Sequence, residues 1–330
     1  MKWRLLAASA AAASLAAIAL YTRRRRPAEV RRARHLAWLK AVGLTSVEAS
    51  LAVSLALECG EAMLCTAGAS ARWKDEDGID PCTETDEANE RRVIDGIRAR
   101  FPTHAVIGEE SAASGSAAVD PSAAPSTWIV DPIDGTQNFV HGLPLCAVSI
   151  GLCENGVPVL GVVYHPSADE LYVGVRGEGS YLNGRRLATD GCESLASAMV
   201  LTCCGYERST EGAARIATAY AALLLARVRA VRMLGSTVLH VCHVAAGRAS
   251  AMYSGIYRRD CPKPWDWCAA HVIATEAGAV FRRLPNDQRR AESPAGAAEF
   301  NIRDGSACCA GSATLADELH ALLADAMLSE

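Results

Sequence analysis

The pattern of apolar and polar positions changes character several times along the chain. Leu5 to Tyr21 is apolar or small throughout, with basic residues on both sides and no acid before Glu29. A basic linker follows. Thr45 and Glu48 then stand at capping-box spacing before the apolar stretch Leu51 to Leu64, which predicts the first helix of the folded body. A second helix is expected over Asp86 to Arg100, where Val93, Ile94 and Ile97 share one face. Ser111 to Ser126, rich in Ala, Ser, Gly and Pro, reads as a surface loop. Short β-branched runs follow at Trp128–Asp131, Ala147–Leu152, Val157–Tyr164 and Leu171–Val175, punctuated by Gly, Pro and Asn, and predict a mainly antiparallel sheet. From Met199 onward strands and helices alternate, with helices expected near 213–227, 237–246, 265–277 and 315–328; this suggests a second, α/β half. The pattern divides the chain into a hydrophobic and basic segment 1–34, an α+β half 35–190 and an α/β half 191–330.

Composition narrows the class. With 330 residues, 50% hydrophobic and 21% charged, the chain buries a substantial core without disulfides. Residues 1–34 hold nine basic side chains against one acid, leaving 24 basic and 36 acidic residues for the rest, so the body carries about -12. Such a body excludes the basic footprint of a nucleic-acid binder and suits a protein that concentrates cations. The 13 cysteines contain no C-x-x-C and read as free, mostly buried thiols of a reducing compartment. The segment 5–21 admits three readings: a cleaved signal peptide, a short signal anchor, or an organelle presequence. Arg23 to Arg26 favour keeping that flank in the cytoplasm, so a cytoplasmic protein with a membrane tether through residues 5–21 is expected, with organelle targeting as the alternative. A chain beginning near Leu36 is expected to be soluble and fully active.

The densest chemical signal is Trp128-Ile-Val-Asp-Pro-Ile-Asp-Gly-Thr-Gln-Asn-Phe139. Asp131 and Asp134 leave the end of an apolar strand around Pro132, a placement that bridges cations, and Gly135 and Thr136 offer backbone N–H groups to a phosphate. An ordinary Asp-Pro/Asp-Gly turn explains the same residues. Ile107-Gly-Glu-Glu-Ser111 ends another apolar segment with paired acids. Asp266, in Pro264-Trp-Asp266, is either a ligand or a helix cap.

Taken together, these motifs resemble the inositol monophosphatase family over residues 45–328. Trp128 to Leu152 is similar to its first signature, WDWCAAHVIATEAGA from Trp265 to its second, and IGEES at Ile107, the Asp80/Thr83/Asp86 spacing and GEGSYLNG from Gly177 add support. The resemblance implies an α+β fold, a layered αβαβα sandwich with the active site between its halves, and a homodimer. It implies two Mg²⁺ ions, one on Glu109, Asp131 and the Ile133 carbonyl, the other on Asp131, Asp134 and Asp266. Glu109 and Thr136 would activate the attacking water, and the activity would be lithium-sensitive hydrolysis of a small polyol phosphomonoester, inositol monophosphate by default. A 3′-phosphonucleotide, histidinol phosphate or a sugar bisphosphate is the alternative substrate, and a non-catalytic scaffold the alternative of another class. Gly135, Thr136, Gly235, Ser236, Thr237 and Ser254 are the implied phosphate and substrate contacts. Ser254 falls where inositol-specific members carry a glutamate, which predicts relaxed substrate selection unless Asp260 supplies a carboxylate instead.

Overall fold

The computed structural model of the chain describes residues 28–114, 120–122, 124–285 and 300–328. Helix α1 (Ala28–Ala41) precedes α2 (Val47–Thr66) and the short hairpin of β1 (Ala71–Trp73) and β2 (Pro81–Thr83). Then come α3 (Glu84–Arg100), β3 (Ala105–Gly108), α4 (Glu109–Ser114), β4 (Ser126–Asp134) and α5 (Thr136–Val140). Strands β5 (Ala147–Glu154), β6 (Val157–His165), β7 (Glu170–Val175), β8 (Gly179–Leu182) and β9 (Arg185–Arg186) complete a seven-stranded sheet in sequence order. It is antiparallel apart from the parallel β3–β4 pair.

The second half holds β10 (Met199–Thr202), α6 (Thr210–Leu225), β11 (Ala230–Met233), α7 (Thr237–Ala245), β12 (Ala251–Ser254), α8 (Pro264–Glu276), β13 (Val280–Arg283), β14 (Ala307–Ala310) and α9 (Ala313–Leu328). Its five strands order as β11-β10-β12-β14-β13, with β11, β10 and β12 parallel and β14 antiparallel to both neighbours. Five layers result. Helices α2 and α3 cover the outer face of the large sheet, α7 and α8 fill the space between the sheets, and α6 and α9 cover the outer face of the small one. Each sheet is apolar on both faces because each is covered on both, which is why its strands read as near-continuous hydrophobic runs.

Glycines set the position of α8. Gly151, Gly161 and Gly174 are laterally paired across β5, β6 and β7. A Cβ on Gly161 would lie 2.0 Å from the Ala269 carbonyl oxygen, one on Gly151 2.4 Å from the Cys268 Sγ, and one on Gly174 2.8 Å from the Ile273 Cα. The three residues make a trough in the sheet, and α8 lies in it with Cys268, Ala269 and Ile273 against the glycines. Backbone-to-backbone approach of this kind requires a missing side chain.

Three expectations need correction. The segment read as a basic linker is helix α1, and the boundary drawn at residue 34 falls inside it. Arg31 and His35 are buried, Arg34 and His35 reach the buried Asp169 at 2.7 and 3.0 Å, and Trp38 Nε1 donates to His35 Nδ1 at 3.0 Å. Polar side chains placed on the inner face of the helix hide it from a search for apolar periodicity. The cap of α2 is Ser46, whose hydroxyl accepts the Ala49 N–H at 3.1 Å, one residue beyond the anticipated Thr45. Part of the loop read at 111–126 is helix α4, and residues 115–119 and 123 of it lie outside the described residues.

The apolar run 5–21 and Arg23 to Arg26 also lie outside the described residues. Among those described, α2 alone is long and apolar enough to cross a membrane by length and composition, and in this fold it packs against α3 and the large sheet. The cysteines are free thiols, most of them buried.

Candidate metal centre and active site

The centre assembles where β4 stops pairing regularly with β5. The register shifts between Asp131 and Asp134, and Pro132 and Ile133 span the irregularity. Asp131 Oδ1 accepts the Ile133 N–H at 3.0 Å, closing a local turn. The turn that Asp-Pro predicts is therefore present at the acids themselves. Gly135 follows at φ +86°, a left-handed conformation that L side chains rarely adopt, and a Cβ there would meet the Leu145 carbonyl at 2.9 Å. Helix α5 starts at the next residue. Thr136 Oγ1 lies 2.8 Å from the Ile133 carbonyl oxygen and 3.2 Å from Asp86 Oδ1, so its proton has acceptors on two sides.

Asp134 is fixed from the second half. Its Oδ2 accepts the Ser236 hydroxyl and, at 3.1 Å, the Val238 N–H at the start of α7. Ser236 is the N-cap of that helix, and its oxygen in turn accepts the Leu239 N–H at 3.2 Å. Asp266 arrives from α8, where its Oδ2 accepts the Lys263 N–H at 2.6 Å. Asp266 is thus not the N-cap, a place Lys263 holds, but the third residue of the capping box, and its carboxylate stands beside Asp131 and Asp134 at the same time. Carboxylate oxygens of Asp131, Asp134 and Asp266 lie within 4.8 Å of one another.

Glu109 borders this trio at the first residue of α4, and its Oε1 accepts Lys74 Nζ at 2.8 Å. Lys74 Nζ is also 2.7 Å from Glu110 Oε1 and 3.9 Å from Asp80 Oδ1. The turn that presents Glu109 is held by Glu90, whose carboxylate accepts the Glu110 N–H at 2.7 Å and the Ser111 N–H at 2.8 Å. Gly108 is required there, because a Cβ would sit 2.3 Å from the Glu90 Cδ. Asp86, four residues before Glu90 on α3, accepts from the Thr83 backbone N–H at 2.8 Å and from the Thr83 and Thr136 hydroxyls. It caps its helix and supports the centre at once.

Proximity of so many acids in a buried space costs energy unless charge is removed or balanced. Burial pushes Glu109 up to about 8, with Glu110 and Asp266 raising it further against the opposing pull of Lys74. Burial first, then Glu109, Asp134 and Asp266, carries Asp131 well above the usual carboxylate range. Asp134 and Asp266 are each raised to about 7, chiefly by burial, and Asp86 to about 6. Burial alone would depress the Lys74 ammonium, but the adjacent Glu109 and Glu110 hold it firmly protonated. One ammonium does not balance four carboxylates. The donor atoms are all oxygens and repel one another, those of Asp131 and Asp134 buried and those of Glu109 and Asp266 half-buried at the open side, which is the donor set of a hard divalent cation.

Of the substrate-side residues, Gly135 and Gly235 face each other where the halves meet: a Cβ on Gly135 would lie 3.2 Å from the Gly235 carbonyl oxygen. Ser236 is buried against Asp134. Thr237 is buried with its hydroxyl 3.9 Å from Cys203 Sγ, and Ser254 is fully buried with its hydroxyl 4.0 Å from the same sulfur. Asp260 does not swing toward the centre. Its Oδ2 accepts the Gly255 and Ile256 N–H groups at 3.1 and 2.8 Å, and it is buried within its own loop.

Lys74, Glu90 and Tyr206 are absent from the residues singled out in the sequence. Burial, followed by the charges of Asp80, Glu109, Asp266 and Asp131, pushes the Tyr206 phenol well up, so it remains a hydrogen-bond donor beside the acids. The Asp86/Glu90 spacing on one face of α3 is the only one of these signals legible in sequence.

The model of the inositol monophosphatase family matches residues 45–327. Human inositol monophosphatase 2 is 43% identical over 201 residues, covering 61% of this chain and 67% of that protein. Inositol monophosphatase 1 of Solanum lycopersicum is 42% identical over 204 residues, covering 62% and 72%. The solved inositol monophosphatase of Anabaena superposes with a TM-score of 0.66 at 27% identity, over 84% of this chain and 95% of that one. The two signatures, the layered fold and the acidic centre between its halves agree with these matches, and the chain belongs to the inositol monophosphatase family.

Proposed function

We propose that this chain is a magnesium-dependent phosphoric monoester hydrolase acting on inositol monophosphate at the acidic centre between its halves. The observation that carries this reading is the convergence of Asp131, Asp134 and Asp266 beside Glu109 and Thr136, all offering oxygen. Glu109, Asp131 and the Ile133 carbonyl would hold one Mg²⁺, and Asp131, Asp134 and Asp266 a second. When bound, the ions supply Lewis acidity, acidifying water and stabilising charge on the phosphoryl and leaving oxygens.

The remaining work falls to the chain. Glu109 accepts the proton of the attacking water. Thr136 commits its own proton to the Ile133 carbonyl or Asp86, which leaves its oxygen free to accept a hydrogen bond from that water and orient it. The Gly135 and Thr136 amides at the start of α5 receive the phosphate. Ser236 acts through Asp134, while Gly235 and Thr237 shape the neighbouring wall. Ser254 brings no charge to ring recognition, and Asp260 is committed to its own loop, so selection among small phosphomonoesters is relaxed. The apolar run 5–21 followed by Arg23 to Arg26 fits a cytoplasmic protein tethered to a membrane, with organelle targeting as the alternative, and family analogy favours a homodimer.

Phosphate release tests the reading. Inositol monophosphate, glycerol 2-phosphate, a 3′-phosphonucleotide, histidinol phosphate and a sugar bisphosphate would be compared with and without Mg²⁺. Hydrolysis of inositol monophosphate that requires Mg²⁺, with limited preference over glycerol 2-phosphate, is expected. No release from any of them at millimolar Mg²⁺, or release indifferent to chelator, would overturn it.

A further inference from the structure

The β1–β2 hairpin lies against both halves of the molecule at once. On one side its Lys74 reaches Glu109 and Glu110, and Gln137 Nε2 of α5 donates to the Ile79 carbonyl at 2.6 Å. On the other, Arg259 from the loop after β12 pairs with two hairpin acids, Asp77 at 2.7 Å and Asp75. Asp75 also accepts the Ile79 and Asp80 N–H groups at 2.9 and 3.2 Å, so the guanidinium grips the residue that shapes the turn.

Arg259 is itself well anchored. Its N–H donates to Glu207 Oε2 at 3.1 Å, its carbonyl accepts the Tyr206 N–H at 3.1 Å, and the following Asp260 ties the loop to Gly255 and Ile256. Gly205 allows this approach, since a Cβ there would lie 2.8 Å from the Asp260 Cα. A fork-shaped donor on a rigid loop, holding two carboxylates of a short hairpin, is a latch rather than an incidental surface pair.

We propose that Arg259 is a positioning residue: by latching Asp75 and Asp77 it holds the β1–β2 hairpin across the junction of the halves and keeps the Lys74 ammonium on Glu109. Lys74 then opposes a divalent cation at Glu109 while covering that edge of the centre. Releasing the latch lets the hairpin, and Lys74 with it, leave the acids. The Arg259 side chain is 40% exposed and Asp77 61%, so that pair alone is weak, and the half-buried Asp75 is the firmer of the two partners. The effect is therefore graded rather than absolute.

Two measurements test this. In metal-free protein, trypsin cleavage after Arg72 and Lys74, read by mass spectrometry, should be roughly fivefold faster in Arg259→Ala, intermediate in Arg259→Lys, and also faster in Asp77→Asn, whose exposed position keeps the fold safe. Binding of Mn²⁺ alone, followed by electron paramagnetic resonance, should tighten about tenfold in Lys74→Met and about threefold in Arg259→Ala, with the double variant no tighter than Lys74→Met. Unchanged cleavage rates in both Arg259→Ala and Asp77→Asn would overturn the latch, as would strictly additive Mn²⁺ effects. The Mn²⁺ measurement rests on the proposed metal reading and the proteolysis does not, so faster cleavage without any Mn²⁺ binding would remove that reading and leave the latch standing.

Discussion

At the scale of single residues, the centre depends on acids that buried surroundings force toward neutrality. Asp131 is the residue shared by both proposed metal positions. Asp131→Asn is expected to abolish turnover, a loss of at least a thousandfold in kcat/KM or about 4 kcal/mol. The metal-free protein should nonetheless melt no lower than wild type, because a repelling carboxylate has been neutralised. Retained activity within tenfold of wild type would exclude the shared role. The same acids set a pH dependence. Glu109 is raised to about 8, and Asp134 and Asp266 to about 7, above their unfolded values. Between roughly pH 4 and 8 the folded state therefore binds more protons than the unfolded one, and metal-free stability should fall as pH rises through that window. Divalent cation should reverse the trend, raising Tm more at pH 8 than at pH 6, since protons compete for the same oxygens. Melting curves with and without Mg²⁺ at the two pH values check both signs.

Elements carry these residues to one point. Asp266 belongs to α8, and α8 is seated by the paired Gly151, Gly161 and Gly174. Gly161→Ala places a methyl 2.0 Å from the Ala269 carbonyl, a backbone atom that cannot step aside without moving the helix. The substitution should cost at least about 1–3 kcal/mol of stability and weaken metal binding although it touches no ligand. Denaturant unfolding and a Mg²⁺ activation curve measure the two effects; unaltered metal binding in a destabilised protein would show that α8 is positioned by something else. The glycines were visible in sequence but their alignment was not. Lateral pairing depends on strand register, and three unrelated sequence positions, 151, 161 and 174, reveal nothing until the strands are paired.

At the scale of the whole molecule, the N-terminal boundary is decided by a polar contact across the fold. Asp169 is 1% exposed and receives Arg34, His35 and the Tyr164 hydroxyl. Burial opposes its charge, but His35 and Arg34 more than compensate and hold its carboxyl below the usual range. A chain starting at Leu36 loses Arg34 and His35, the two basic partners of Asp169, and keeps only the Tyr164 hydroxyl on that carboxylate, at a cost of roughly 1–3 kcal/mol. Such a chain should melt well below one starting at Ala28, contrary to the expectation that the segment before Leu36 is dispensable. Equal melting temperatures would restore that expectation. By itself the sequence carried the change from strand-rich to alternating pattern and, through the motifs that resemble the family, the layered α+β class and the expected residues Glu109, Asp131, Thr136, Asp134 and Asp266, because their acids stand in short contiguous motifs at a strand end or a helix start. Tertiary structure alone decided that Lys74 and Tyr206 attend the centre, that Arg259 pairs with the hairpin acids, that Ser236 serves Asp134, and that α1 belongs to the body. Those contacts join segments separated by tens to hundreds of residues, and a side chain's partner at that distance is chosen by packing and register, which no local pattern encodes.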